Sequence, residues 1–157
     1  MSKSTPATKL LSQAGHAFDL LTYDYDPDAE RVGLQAAEAM GLPPSQVFKT
    51  LMAELDGKPV CAIVPSDEEV NMKKLAAALR GKAARMMKPA DAERLTGYKV
   101  GGISPLGQRK PVATVLDETA TLHEAIVVNG GQRGLQIRLR PADLVAVLGC
   151  TTADLTR

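Results

Sequence analysis

The sequence predicts a mixed, largely antiparallel α/β or barrel-like domain, and three observations carry that expectation. Short apolar runs suited to strands alternate with single helical patterns rather than with the regular strand–helix–strand rhythm of a parallel nucleotide-binding sheet. An Asp56-Gly57 pair sits between two apolar runs, which is a strong hairpin signal because that turn needs positive φ. The 157 residues contain no repeat, low-complexity tract or long linker, so residues 1–157 read as one domain with a single sizeable core.

The elements follow in order. Leu10, Leu11 and Ala14, preceded by Thr5-Pro6 and stopped by Gly15, predict a short opening helix. His16 to Tyr23 reads as a strand, broken by the acidic loop of Asp24, Asp26, Pro27 and Asp28. Gly33 to Met40 is rich in Ala and Leu and closes at Gly41 as a second helix. Val47–Leu55 and Val60–Val64 form the hairpin. Ser66-Asp67-Glu68-Glu69 fits a capping box, while Asn71 is an equally good N-cap for a helix over Met72–Arg80, ended by Gly81. Ala83–Met87 suggests a short strand, and Pro89–Leu95 a helix ending at Gly97. Strands at Val112–Leu116 and Ala125–Val128 precede a turn over Asn129–Gly134. Leu135–Leu139 alternates as a half-buried strand does, and Pro141–Leu148 is the last helix, ended by Gly149.

Composition excludes several classes. Nineteen Lys and Arg against eighteen Asp and Glu leave a net charge of +1, so the chain does not work by bulk basicity. With 3% aromatic residues and no Trp, a nucleic-acid surface built from rows of stacking rings is not expected. No apolar run approaches the roughly 20 residues that span a bilayer, and Met1–Pro6 lacks the apolar centre of a signal peptide. The expectation is a cytoplasmic protein with no membrane partner. Cys61 and Cys150 form no metal-type spacing and read as small buried hydrophobes. His16 and His123 are isolated, and the acids at 24–30 lack the glycine and terminal glutamate of a calcium loop. No metal and no cofactor are expected.

Three stretches rise above this background. Lys49 is embedded in the apolar strand Phe48-Lys49-Thr50-Leu51, where it either snorkels at a sheet edge or lines a pocket with its ammonium. Gly101-Gly102-Ile103-Ser104-Pro105-Leu106-Gly107 is a constrained loop. It is either a tight turn or a cradle whose N–H groups hold a phosphate or an oxyanion. It is neither a G-x-G-x-x-G nor a P-loop. Asn129-Gly130-Gly131-Gln132-Arg133-Gly134 is a hairpin connection whose Arg133 is able to meet a phosphate. Charge is also uneven: between Val70 and Ala90 the basics Lys73, Lys74, Arg80, Lys82, Arg85 and Lys88 cluster. They form either a solvated face or a footprint for a phosphate backbone.

Taken together, Val47–Leu51, Thr96-Gly97-Tyr98 with Gly101–Gly107, and Gly130–Leu135 resemble the YbaK/EbsC family, free-standing relatives of the editing domain of bacterial prolyl-tRNA synthetase. The resemblance runs from the opening helix to about Asp154. It implies a curved sheet with surrounding helices and an enzyme that clears cysteine mistakenly attached to proline tRNA. The implied partners are that aminoacyl-tRNA and, in some settings, prolyl-tRNA synthetase. It assigns Lys49 and Gly101 to catalysis, with Lys49 holding the end of the tRNA and Gly101 approaching the scissile ester. Tyr23, Thr50, Gly102, Ser104, Pro105, Gly130, Gly131 and Arg133 are implied to bind substrate, and Asp117 occupies a position that is often acidic. Val32 stands where relatives often have Phe, Asn129 replaces a common Ser, and Gln136 sits at a variable position; all three lie beside the implied amino-acid pocket.

The resemblance also implies a mechanism that matches what the residues lack, namely a recognisable nucleophile and base. The thiol of the substrate's own cysteine attacks its carbonyl, and the protein supplies positioning and main-chain donors for the oxyanion. A deacylase for another small amino acid, and a non-catalytic tRNA- or partner-binding module, remain open alternatives at this level.

Overall fold

The computed structural model describes residues 4–26 and 32–156. In chain order the elements are α1 (Pro6–Ala14), β1 (Asp19–Thr22), α2 (Val32–Met40), β2 (Phe48–Leu55), β3 (Lys58–Pro65), α3 (Met72–Ala78) and β4 (Ala84–Met86). They continue with α4 (Pro89–Thr96), β5 (Ala113–Asp117), a 3₁₀ turn (Glu118–Leu122), β6 (Ile126–Gln132), β7 (Leu135–Leu139), α5 (Pro141–Leu148) and β8 (Thr151–Ala153).

The strands make two sheets, one ordered β1-β7-β6 and one ordered β4-β2-β3-β5-β8. Four pairings are antiparallel, while β3–β5 and β5–β8 are parallel. The mixed, mostly antiparallel expectation therefore holds, with the sheets meeting rather than closing into a barrel. They meet at a parallel bridge between Val47 and Val127, where Val127 N–H donates to Gln46 O at 3.0 Å. Ala36 and Ala37 of α2 pack on that junction.

The β2–β3 hairpin shows how directly local chemistry acts. Asp56 and Gly57 adopt φ of 52° and 83°, as a two-residue primed turn requires, and the register pairs Leu55 with Lys58 and Lys49 with Val64. The uninterrupted apolar run of β3 is explained by burial on both faces. Cys61 and Ile63 enter a core shared with α1, α4 and α5, while Val60, Ala62 and Val64 pack against Leu75 and Ala76 of α3.

Several expected boundaries shift. The strand expected from His16 begins only at Asp19, because β7 offers pairing partners to residues 19–22 alone. Asn71 Oδ1 accepts Lys74 N–H at 3.1 Å and caps α3, whereas Ser66 Oγ donates instead to Pro44 O. β6 does not stop at Val128. It runs on through an irregularity between Asn129 and Gln132, leaving a turn of only Arg133 and Gly134. The 3₁₀ turn and β8 carry no sequence signal that was recognised. Both depend on Asp117, fully buried, whose carboxylate accepts the N–H groups of Thr119 and Leu155. Of the acidic loop, residues 27–31 lie outside the described residues.

Candidate active site

The site begins with a gap in a sheet. One edge of β2 is paired with β3 along its whole length. The other edge touches β6 at its start, through Gln46 and Val47. It meets β4 at its end, where Ala53–Leu55 pair with Ala84–Met86 and Met87 N–H donates to Met52 O at 3.1 Å. Between those contacts residues 49–51 have no strand neighbour on that side among the described residues. Main-chain groups alternate between edges, so with Gln46 and Met52 turned to this edge, those of Thr50 also face the gap.

A cavity of about 300 Å³ occupies the gap, at the small end of the range for ligand sites. Its floor is Val47 and β2 from Phe48 to Met52, with Met86, Met87 and the start of α4 on one side. Val100, Gly101 and Ile103 stand on another, and Tyr23, Ala36, Asn129 and Gln136 close the rest. Lys49 and the Gly101 loop thus line one space. The polar side chains on the wall are Tyr23, Lys49, Thr50, Asn129 and Gln136; among the described residues no His, Cys, Asp or Glu lines it.

Two hydroxyls on this wall, Tyr23 Oη and Thr50 Oγ1, are buried without a hydrogen-bond partner. A buried polar group left unsatisfied costs roughly 1–3 kcal/mol, so a polar ligand is the natural partner for them. Burial, and secondarily Tyr25, raises the Tyr23 phenol above its ordinary value. The Gln136 side chain and Gly134 main chain offset part of that shift without reaching hydrogen-bond geometry. The phenol therefore stays protonated and able to donate.

Other residues implicated by the sequence take supporting places. Gly102 packs on the main chain of Gln132 and Arg133, where a Cβ would lie 2.8 Å from Arg133 N. Ser104 is fully buried, and its Oγ accepts Leu106 N–H at 3.1 Å; Pro105 is buried beside it. Gly130 O accepts a 2.6 Å bond from Thr5 Oγ1 at the start of α1, and Gly131 packs on Tyr98. None of Gly102, Ser104, Pro105, Gly130, Gly131 or Arg133 reaches the cavity wall. Val32 opens α2, and its side chain lies outside what the structure describes.

The sequence pointed neither to the methionines nor to Tyr25. Met86 is 48% exposed on the short edge strand, and nothing in a lone Ala-Arg-Met-Met run marks it as a cavity wall. Tyr25 lies over Gly101, where a Cβ would come within 2.5 Å of Tyr25 Oη; an aromatic ring in an acidic loop was its only signal. Neither cysteine takes part. Cys61 is fully buried, and desolvation pushes its thiol up to about 12, so it is neutral and inert. Burial raises the half-buried Cys150 as well, and it is also absent from the wall.

Residues 26–147 match the model of the aminoacyl-tRNA editing domain. The chain belongs to that family. Over 156 residues it is 33% identical to an Enterococcus faecalis protein with the provisional name Cys-tRNA(Pro)/Cys-tRNA(Cys) deacylase EbsC, covering 98% of this chain and 94% of the relative. It is also 33% identical, over 99 residues, to the proline–tRNA ligase of Geobacter metallireducens, covering 63% of this chain and 17% of the ligase. A crystal structure provisionally described as a trans-editing enzyme for prolyl tRNA synthetase superposes with a TM-score of 0.84 at 25% identity, covering 99% of both chains. No helix among the described residues is long and apolar enough to cross a membrane.

Proposed function

We propose that this editing domain is a free-standing deacylase for Cys-tRNA(Pro), and that the substrate supplies its own nucleophile. The observation that carries this reading is the cavity wall. It is lined by Lys49, two partnerless hydroxyls and Gly101, with no His, Cys, Asp or Glu among its described residues. Such a wall can bind and orient an aminoacyl ester but holds no ordinary base to activate water or a side chain.

In the proposed reaction the cysteine sulfur attacks the ester carbonyl carbon. A C–S bond forms, the bond to the ribose oxygen breaks, and the thiol proton ends on that oxygen. Free tRNA and a four-membered thiolactone result, and water then opens the thiolactone to cysteine. Lys49 holds the terminal nucleotide of the tRNA, and the Gly101 N–H stabilises the oxyanion that develops on the carbonyl. Positioning of this kind contributes up to roughly 7–11 kcal/mol in favourable cases. Tyr23 and Thr50 hydroxyls take up polar groups of the aminoacyl moiety, and the methionine side receives the thiol.

Chemistry does the selecting, because pocket contacts separate side chains differing by one small group by only about 1–3 kcal/mol. Proline and alanine lack the thiol and are spared even where they fit. The tRNA body runs past the cavity on the side where exposed Arg80, Lys82, Arg85 and Lys88 flank β4. Prolyl-tRNA synthetase is the proposed source of tRNA identity, and the cytoplasm the proposed place of work.

A panel of proline tRNAs charged with cysteine, alanine, serine, proline and 2-aminobutyrate tests this. Cysteine is expected to be released fast and 2-aminobutyrate, similar in size but without sulfur, not at all. Equal release of both removes the substrate thiol from the mechanism. Release of alanine or serine instead moves the assignment to another small amino acid, and tight tRNA binding with no release of any leaves a binding module.

A further inference from the structure

Two side chains from the β6–β7 hairpin hold consecutive carbonyls of the loop opposite Lys49. Arg133 Nε donates to Val100 O at 2.9 Å, and Asn129 Nδ2 donates to Gly101 O at 3.2 Å. The other end of the same amide is also occupied, since Asn129 Oδ1 accepts Gly131 N–H at 2.7 Å. A peptide N–H can only donate, so this last contact decides which end of the amide faces Gly101. Asn129 lines the cavity, yet both polar ends of its side chain serve main chain of its own protein.

The consequence lies in peptide geometry. In a planar trans peptide the N–H points opposite the preceding C=O. Turning Val100 O toward Arg133 therefore turns Gly101 N–H the other way, and no described residue accepts it. Gly102 N–H, by contrast, is used by Lys99 O at 2.7 Å. Tyr25 completes the assembly. Its ring lies 5.2 Å beneath the Arg133 guanidinium, and its hydroxyl rests against Gly101, whose φ of 90° leaves no room for a side chain.

We propose that Arg133, by holding the Val100–Gly101 peptide, and Asn129, by holding the Gly101–Gly102 peptide that follows it, are positioning residues that together fix Gly101 so that its N–H meets the oxyanion rather than the substrate's ground-state carbonyl. This rests on the deacylase reading above. It gives Asn129 a role different from reading the amino acid, and it ties the rate to a hairpin that does not touch the thiol.

Asn129→Asp is the test, because it keeps the shape and the acceptor for Gly131 N–H while replacing the donor to Gly101 O with a carboxylate oxygen. Cys-tRNA(Pro) deacylation is measured from pH 5 to 8 beside wild type, together with the ¹⁵N NMR resonances of the glycine amides. Lys49, Tyr23, Tyr25, Arg133 and Glu93, whose Oε2 accepts Val100 N–H at 2.8 Å, are titratable or charged groups around the loop, and the wild-type profile controls for them. At pH 8 kcat is expected to fall about ten- to hundredfold with KM within about twofold. The deficit should shrink on acidification, as the carboxyl takes up a proton and donates to Gly101 O again, and the Gly101 resonance should move with it. Wild-type kcat at pH 8, a loss confined to KM, or a deficit that does not vary with pH overturns the proposal. Should wild type release no amino acid from any tRNA, the deacylase reading has failed. The Gly101 resonance then decides alone: displacement that reverts in acid supports positioning, and no displacement overturns it. If Asn129→Asp does not fold, Arg133→Ala in the exposed turn takes its place; lower kcat with a displaced Gly101 resonance is expected, and no change in either overturns the proposal.

Discussion

The two halves of the glycine-proline loop differ more than their composition suggests. Val100, Gly101 and Ile103 stand on the cavity wall, and the carbonyls of the first two are held from the β6–β7 hairpin. Ser104, Pro105 and Leu106 turn into the core. There Tyr98 Oη donates to Leu106 O at 2.6 Å, and Gly107 presses on the first turn of α1, 2.6 Å from Pro6 main chain where a Cβ would be. One half presents main chain to a ligand and the other nails that half down. A glycine in the first is needed for access, and a glycine in the second for packing.

The largest effect should come from removing what faces the first half. Lys49→Ala is expected to lower Cys-tRNA(Pro) deacylation at least about hundredfold with little change in unfolding midpoint; full activity would mean the cavity is not the site. Next, Gly101→Ala places a methyl against Tyr25 Oη at a φ of 90°. Its cost should fall mainly on kcat, about tenfold or more, with a stability loss of about 1–2 kcal/mol from the positive φ, because the mobile phenol tip can shift away from the methyl. Gly107→Ala should do the reverse. Rigid Pro6 main chain cannot yield, so denaturant unfolding should show a loss of about 2–3 kcal/mol while kcat per folded molecule stays within about twofold. If both variants lose activity and stability in the same proportion, the division of the loop is wrong.

Smaller effects sharpen the same contrast. Desolvation holds the Tyr98 phenol up to about 12. A folded value raised above the unfolded one means full stabilisation below about pH 10, lost progressively as pH rises toward 12. Tyr98→Phe should remove that alkaline limb in pH-dependent unfolding and cost about 1–2 kcal/mol near neutrality by leaving Leu106 O without its donor. Smallest of all, Cys61→Ala should leave the deacylation rate unchanged, since a thiol buried and neutral does no chemistry. A large loss of rate would restore an enzyme thiol to the mechanism.

Legibility divides along physical lines. The hairpin at Asp56-Gly57 with its apolar return strand, and the caps at Gly15, Gly97 and Gly149, were readable because each depends on neighbours within a few residues or on a simple apolar run. Lys49 was suspect because a lysine inside an apolar strand is costly without a purpose. β8 and the 3₁₀ turn were not readable, since β8 exists as a parallel ladder on β5 and the 3₁₀ turn is capped by the buried Asp117, whose carboxylate also accepts Leu155 N–H. Nor were the Met86 and Met87 wall and the Tyr25 cover, which exist only because β4 stops pairing with β2 at Ala53 and leaves the edge open.

By itself, then, the chain's order of residues determined the element types, the hairpin, and the presence of a lysine strand and a flexible glycine main chain, because those follow from periodicity and from φ preferences. Only the tertiary structure decided that Lys49 and Gly101 line one cavity, and that Asn129 and Arg133 hydrogen-bond the main chain of the Gly101 loop. Those relations join residues dozens of positions apart, through hydrogen bonds whose partners no local pattern can announce.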